Sequence, residues 1–213
     1  MRCDKKDLLL YGVTDRSWLG DRTLAQQVEA SLRGGATMIQ LREKHMDRGS
    51  ILAQALELRE LCGRYGVPLI LNDDAELAQA AGADGVHVGQ SDMEAGRVRA
   101  LLGEDKLIGV SARTVEQALA AQAAGADYLG VGAMFPTGTK QDTRPVSYDT
   151  LKAICAAVDI PVVAIGGIGA GNVAELAGSD IAGVAVVSAL YAQPDVEAAT
   201  RSLRAQVERV VGP

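Results

Sequence analysis

The sequence predicts an α/β chain that folds as one (β/α)8 TIM barrel. Three observations carry that expectation: short apolar runs at roughly even intervals, helical periodicity between them, and a repeated glycine phrase ahead of several runs. The runs occupy residues 8–14, 37–42, 68–73, 85–89, 107–112, 128–133, 161–167 and 183–189. Each is rich in Val, Ile and Leu and bounded by Gly, Pro or Asp, the pattern of a parallel strand buried on both faces. Amphipathic segments such as 48–64, 114–124 and 194–210 lie between them, and a parallel crossover needs a connection of helix length. The phrases Gly34-Gly35-Ala36-Thr37, Ala81-Gly82-Ala83-Asp84, Ala124-Gly125-Ala126-Asp127 and Ala177-Gly178-Ser179-Asp180 each precede a strand. Glycine there suits the left-handed residue that ends a helix. At Val67-Pro68 and Ile160-Pro161 a proline opens the strand instead. An open doubly wound sheet is the second reading, but it would use only about five or six of the strands. No linker or composition break divides residues 1–213, which read as one domain with 1–7 as a flexible N-terminal extension.

Composition narrows the function classes. A chain of 213 residues buries on the order of three-quarters of its unfolded surface and needs no disulfide or structural metal. Its 48% hydrophobic content comes with only 3% aromatic residues, which suits small and β-branched packing between barrel and helices. The 21 Lys and Arg against 27 Asp and Glu give a net charge of −6, which argues against a nucleic-acid partner. A few local cations would still suffice for a small anionic substrate. The three cysteines, Cys3, Cys62 and Cys155, follow neither a metal-ligand nor a disulfide spacing. Cys62 and Cys155 fall in predicted helices, where a buried thiol behaves as a small apolar side chain. The first residues have no apolar signal core, and no run of about 18 apolar residues could span a membrane. The chain reads as cytoplasmic, with no membrane partner.

In a barrel of this kind the chemistry sits at the C-terminal ends of the strands, and polar residues do collect there. The second run ends in Gln40-Leu41-Arg42-Glu43-Lys44, the third in Asn72-Asp73-Asp74, and the fourth leads to Gln90-Ser91-Asp92. The fifth ends at Ser111, and the sixth leads to Thr137-Gly138-Thr139-Lys140. Asp73 and Asp92 would face one mouth, and paired hard carboxylates suit Mg²⁺ completed by water and substrate phosphate. Asp74 is assigned as a helix cap, a role also open to Asp92. Arg42, Lys44 and Lys140 beside that pair suggest a polyanion such as diphosphate. Ile165-Gly166-Gly167-Ile168-Gly169 and Val187-Ser188 occupy the loops where this fold often binds a second phosphate. Neither a Rossmann G-x-G-x-x-G nor a Walker loop is present. His87 either points into the mouth or is a satisfied structural histidine, and His45 falls in a solvated loop. Ser111 has no histidine at motif spacing, so a serine triad is unsupported.

Taken in order, Gln40-Leu41-Arg42-Glu43-Lys44, Asn72-Asp73, Gly85-Val86-His87-Val88-Gly89-Gln90-x-Asp92, Phe135-Pro136-Thr137-x-Thr139-Lys140 and Ile165-Gly166-Gly167-Ile168 resemble the thiamine phosphate synthase (thiamine phosphate pyrophosphorylase) family. Tyr11-Gly12-Val13-Thr14-Asp15-Arg16 is similar to that family's first strand. The resemblance implies small phosphorylated substrates, joining a hydroxymethylpyrimidine diphosphate to a thiazole phosphate with Mg²⁺. It implies that Gln40, Leu41, Arg42, Glu43, Lys44, Asn72, Ser111 and Lys140 bind the pyrimidine diphosphate, with Arg42, Lys44, Ser111 and Lys140 catalytic. It assigns the metal to Asp73 and Asp92, and the thiazole phosphate to Thr137, Gly138, Thr139, Gly167, Val187 and Ser188. Three rivals remain: a thiazole tautomerase-like barrel, another sugar-phosphate isomerase or aldolase, and a sensor that has lost turnover. The first would not need both carboxylates together with the cation cluster.

Overall fold

The computed structural model describes residues 3–138 and 145–212. Its strands are β1 (Leu10–Val13), β2 (Met38–Leu41), β3 (Leu69–Asn72), β4 (Gly85–Val88), β5 (Leu107–Ala112), β6 (Tyr128–Val131), β7 (Val162–Ile165) and β8 (Gly183–Val186). All pair in parallel in chain order, and β8 returns to β1 with Tyr11 opposite Ala185. That closure excludes the open sheet. The strands are shorter than the apolar runs, and most of the excess lies at their C-terminal ends. Thr14, Arg42 and Asp73 continue the runs but lie beyond the paired segments, so the overshoot marks the loops that carry polar chemistry.

Helices α1 (Leu24–Arg33), α2 (Arg48–Tyr65), α3 (Ala75–Ala81), α4 (Ala95–Leu102), α5 (Val115–Ala123), α6 (Tyr148–Ala157), α7 (Ser188–Tyr191) and α8 (Val196–Val211) surround the barrel. Their starts follow from capping side chains that satisfy otherwise orphaned N–H groups. Thr23 and Gln26 form a reciprocal capping box on α1, while Asp47, Thr114, Ser147 and Asp195 cap α2, α5, α6 and α8. Between β7 and β8 the chain makes only a 3-10 turn, Val173–Leu176. Gly169, Gly171 and Gly178 leave that connection few helix-forming residues. The four glycine phrases behave as expected: Gly35, Gly82, Gly125 and Gly178 all have positive φ, at 98°, 61°, 91° and 78°.

Alternation along the strands sorts side chains into two layers. Ile39, Leu41, Leu69, Leu71, Val86, Val88, Ile108 and Val110 pack outward against the helices. Tyr11, Val13, Met38, Ile70, Tyr128, Val163 and Ala185 form a second cluster inside the barrel. Burying each such Leu, Ile or Val contributes about 1.5–3 kcal/mol.

The N-terminal segment corrects one expectation. Rather than a loose extension, Lys5–Leu8 is a 3-10 turn capped by Asp4. Cys3 and Leu8 are fully buried in the inner cluster. The segment closes the barrel floor because its two apolar side chains fill space that the short strands leave open. Cys62 is buried in α2 and Cys155 is half-buried in α6. Burial pushes the thiols of Cys3 and Cys62 up to about 12 and that of Cys155 up to about 11. All three cysteines are free. No helix among the described residues is long and apolar enough to cross a membrane.

Candidate active site

The inward alternation of β2 to β5 brings Gln40, Asn72, His87 and Ser111 to one cavity of about 150 Å³ within the barrel. Val163, Ile165, Ala185 and Val187 supply its apolar wall. A wider cavity of about 1160 Å³ opens above it, lined by Arg42, Glu43, Lys44, His45, Thr137, Gly138, Gly167 and Ser188 among others. Arg42, Thr137, Gly167, Ile168 and Ser188 border both, so the two spaces adjoin.

Each functional group is held by its own local chemistry. Thr14, fully buried, donates its N–H to the Gln40 carbonyl (2.9 Å) and accepts the Arg42 N–H at its hydroxyl (3.0 Å). This stitches the end of β1 to the end of β2 and aims Arg42 at the mouth, 4.0 Å from Asp15. Glu43 lies 2.8 Å from Arg16 Nε, whose N–H is directed at Met46 Sδ (3.1 Å). Burial holds the Glu43 carboxyl above its ordinary value, and the Arg16 charge offsets only part of that rise. Glu43 is thus committed first to an ion pair. Leu41 is buried in the outer layer and lines neither cavity.

Asp73 has left-handed backbone, φ 66°, a conformation uncommon for a non-glycine residue and concentrated at functional sites. Its N–H bonds to the His87 carbonyl (2.8 Å), and its carboxylate accepts from Asn72 Nδ2 (2.6 Å). Asp92 accepts the Gly89 N–H at 2.6 Å. Both exposed carboxylates are therefore tied to the ends of β3 and β4, beside Asn72 and His87 rather than on the wall of either cavity. Asp74 caps α3 as expected, accepting from Leu77; Glu94, not Asp92, caps α4. Among the described residues no group of three or more His, Cys, Asp and Glu could hold a metal alone. Two carboxylates on one rim, with substrate phosphate completing the shell, are a donor set that fits Mg²⁺.

Gly167 has φ 67°, and a Cβ there would lie 2.6–2.8 Å from Pro136 and Phe135 backbone atoms. The loops after β6 and β7 pack against each other only because that side chain is missing. Val187 lines the inner cavity, and Ser188 begins α7 where both cavities meet. Thr139 and Lys140 lie outside the described residues.

Comparison with known proteins decides the family. Residues 10–190 match the family model described as thiamine monophosphate synthase. The chain is 48% identical over 199 residues to the thiamine-phosphate synthase of Ruminiclostridium cellulolyticum, covering 93% of this chain and 95% of the relative. The chain belongs to the thiamine monophosphate synthase family. The Chloroflexus aurantiacus thiamine-phosphate synthase is 50% identical, covering 94% of this chain and 93% of its own. A solved thiamine phosphate pyrophosphorylase from Pyrococcus furiosus superposes with a TM-score of 0.90 at 38% identity, covering 98% of this chain and 99% of that one. None of these relatives is named as a tautomerase, and the isomerase alternative has no support from them.

Against this thiamine monophosphate synthase framework, two features escape the motifs. Tyr11 and Tyr128 meet at the barrel axis, hydroxyl to hydroxyl at 3.0 Å. The fold also gives Ser111 a histidine that lies far off in sequence: His87 Nε2 is 3.0 Å from Ser111 Oγ. The other ring nitrogen lies 3.3 Å from Tyr128 Oη. Two-residue alternation was the available signal, because it puts Tyr11, His87, Ser111 and Tyr128 all on inward positions.

Proposed function

We propose that this protein makes thiamine phosphate by joining a 4-amino-2-methylpyrimidine carried on a methyl diphosphate to a thiazole phosphate, releasing pyrophosphate. Nested cavities carry the reading: Gln40, Asn72 and Ser111 border the small inner space, and Arg42 and Lys44 the wide mouth above. An uncharged ring fits the former and its diphosphate the latter. Thr137, Gly138, Gly167, Val187 and Ser188 border the opposite side, where the thiazole phosphate would sit against backbone N–H groups freed of side chains. Thr139 and Lys140 would complete the two subsites.

The reaction breaks the C–O bond between methylene and diphosphate, and the electron pair leaves with the diphosphate. The methylene then carries a positive charge spread into the aminopyrimidine ring, until the thiazole nitrogen lone pair forms the new C–N bond. Charge separation is the barrier, so preorganised cations at the departing oxygens do the main work. Arg42, Lys44 and Lys140 fill that role, with Ser111 and Gln40 orienting the ring. Mg²⁺ held by Asp73 and Asp92 would neutralise diphosphate charge. Anchoring of the thiazole phosphate supplies proximity, and no general base is required. The protein works in the cytoplasm on small phosphorylated molecules.

The test supplies both precursors and follows thiamine phosphate and pyrophosphate together. Equal amounts of each should appear with Mg²⁺ and cease in excess chelator. Undiminished turnover in chelator would remove the metal, and no thiamine phosphate with Mg²⁺ present would remove the activity.

A further inference from the structure

A continuous hydrogen-bonded row crosses the barrel interior and ends at the inner cavity. Gln40 Nε2 donates to Tyr11 Oη (2.6 Å), Tyr11 Oη lies 3.0 Å from Tyr128 Oη, Tyr128 Oη lies 3.3 Å from His87 Nδ1, and His87 Nε2 lies 3.0 Å from Ser111 Oγ. Two glycines make the room: a Cβ at Gly109 would strike both the Tyr128 and His87 rings, and one at Gly130 would lie 2.9 Å from His87.

The row has a direction. A side-chain amide nitrogen can only donate, so Tyr11 accepts from Gln40 and its own hydrogen must go elsewhere. Tyr11 is 1% exposed, and an unsatisfied buried hydroxyl is costly. Its other hydrogen-bonding neighbour in the row is Tyr128, which must accept. Tyr128 is fully buried and passes its hydrogen to His87 Nδ1. Burial pushes both phenols up, which keeps each a neutral donor. A neutral imidazole accepting at Nδ1 carries its hydrogen on Nε2, and that hydrogen goes to Ser111 Oγ. The Ser111 hydroxyl hydrogen is left for the cavity that Ser111 lines.

We propose that Tyr11, Tyr128 and His87 are positioning residues that polarise Ser111 as a hydrogen-bond donor, selecting a ring-nitrogen acceptor of the bound heterocycle over its amino group. The assignment of the heterocycle rests on the pyrimidine reading above; the polarity of the row does not. Reversing the Gln40 amide would reverse every bond and turn Ser111 into an acceptor, so the two polarities predict opposite tautomers of His87.

The chain has two histidines, so ¹⁵N-histidine labelling with a His45→Gln variant for assignment isolates the His87 signals. At about pH 8.5, where an ordinary imidazole is neutral, wild-type His87 should carry its hydrogen on Nε2, with Nδ1 at the downfield position of an unprotonated nitrogen. A hydrogen on Nδ1 overturns the proposal, and this readout needs neither substrate nor turnover. Tyr128→Phe keeps the ring and removes the donor, so it should mix the two tautomers. It should also raise KM for the pyrimidine diphosphate about two- to tenfold, leaving KM for the thiazole phosphate unchanged. An unaltered tautomer, an unaltered pyrimidine KM, or an equal rise for both substrates would each refute it. Absence of product with wild-type protein would instead refute the synthase reading while leaving the tautomer result standing.

Discussion

Asp73 combines two demands in one residue: a left-handed backbone and a carboxylate at the rim. The two can be separated by substitution. Asparagine tolerates the left-handed region and preserves the shape, whereas alanine adds about 1–2 kcal/mol of backbone cost. Asp73→Asn should therefore melt with the wild type, followed by circular dichroism, and lower kcat about 100- to 1,000-fold by analogy with loss of a single charge-stabilising group. Asp73→Ala should lose both activity and stability, and an active Asp73→Asn would take the carboxylate out of the reaction. That Asp73 and Asp92 both follow strand ends on one side of the barrel was legible, because residues after consecutive parallel strands must reach the same end. The partner of Ser111 was not, because contacts between neighbouring strands depend on register, and sequence spacing carries no register. Leu41 illustrates the same limit: inside a contiguous motif, alternation sends it outward while its neighbour Gln40 turns in.

Between elements, the repeated glycine phrases do more than end helices. The residue that closes the phrase reaches back to the foot of the preceding strand: Asp84 accepts the Leu69 N–H, Asp127 the Ile108 N–H and Thr37 the Leu10 N–H, at 2.8, 2.8 and 2.9 Å. Asp127 is distinct because it is also buried against the Arg99 guanidinium. Asp127→Ala should cost about 3–5 kcal/mol by leaving that guanidinium buried without its counter-charge. Asp84 is exposed, so Asp84→Ala should cost only about 1 kcal/mol. Urea midpoints of the two variants check the difference, and equal losses would show that the ion pair adds nothing. The periodicity could place these junctions but not rank them, since the rank depends on which loop covers the aspartate. Missing helix between β7 and β8 has a plainer cause, visible in three glycines within ten residues from Gly169 to Gly178.

For the whole molecule, eight strands in sequential parallel order were readable from the run spacing and the helical periodicity between the runs, while the fate of the first residues was not. A short charged segment looks solvated until the barrel floor that its apolar side chains fill is known. At about pH 8 a thiol reagent should reach Cys3 only as fast as the molecule opens, because the thiol is buried and its pKa raised to about 12. In urea all three thiols should react; rapid labelling of Cys3 in native protein would show a loose N-terminus. That sealed floor governs traffic as well. With Tyr11, Met38, Ile70 and Tyr128 packed beneath it, the inner cavity adjoins the outer one along Arg42, Thr137, Gly167, Ile168 and Ser188. With the pyrimidine in the inner cavity and the thiazole phosphate above it, the pyrimidine diphosphate should bind first, and initial-rate kinetics with both substrates varied would show that order. A barrel stoppered at one end would thereby set the order in which its two substrates bind.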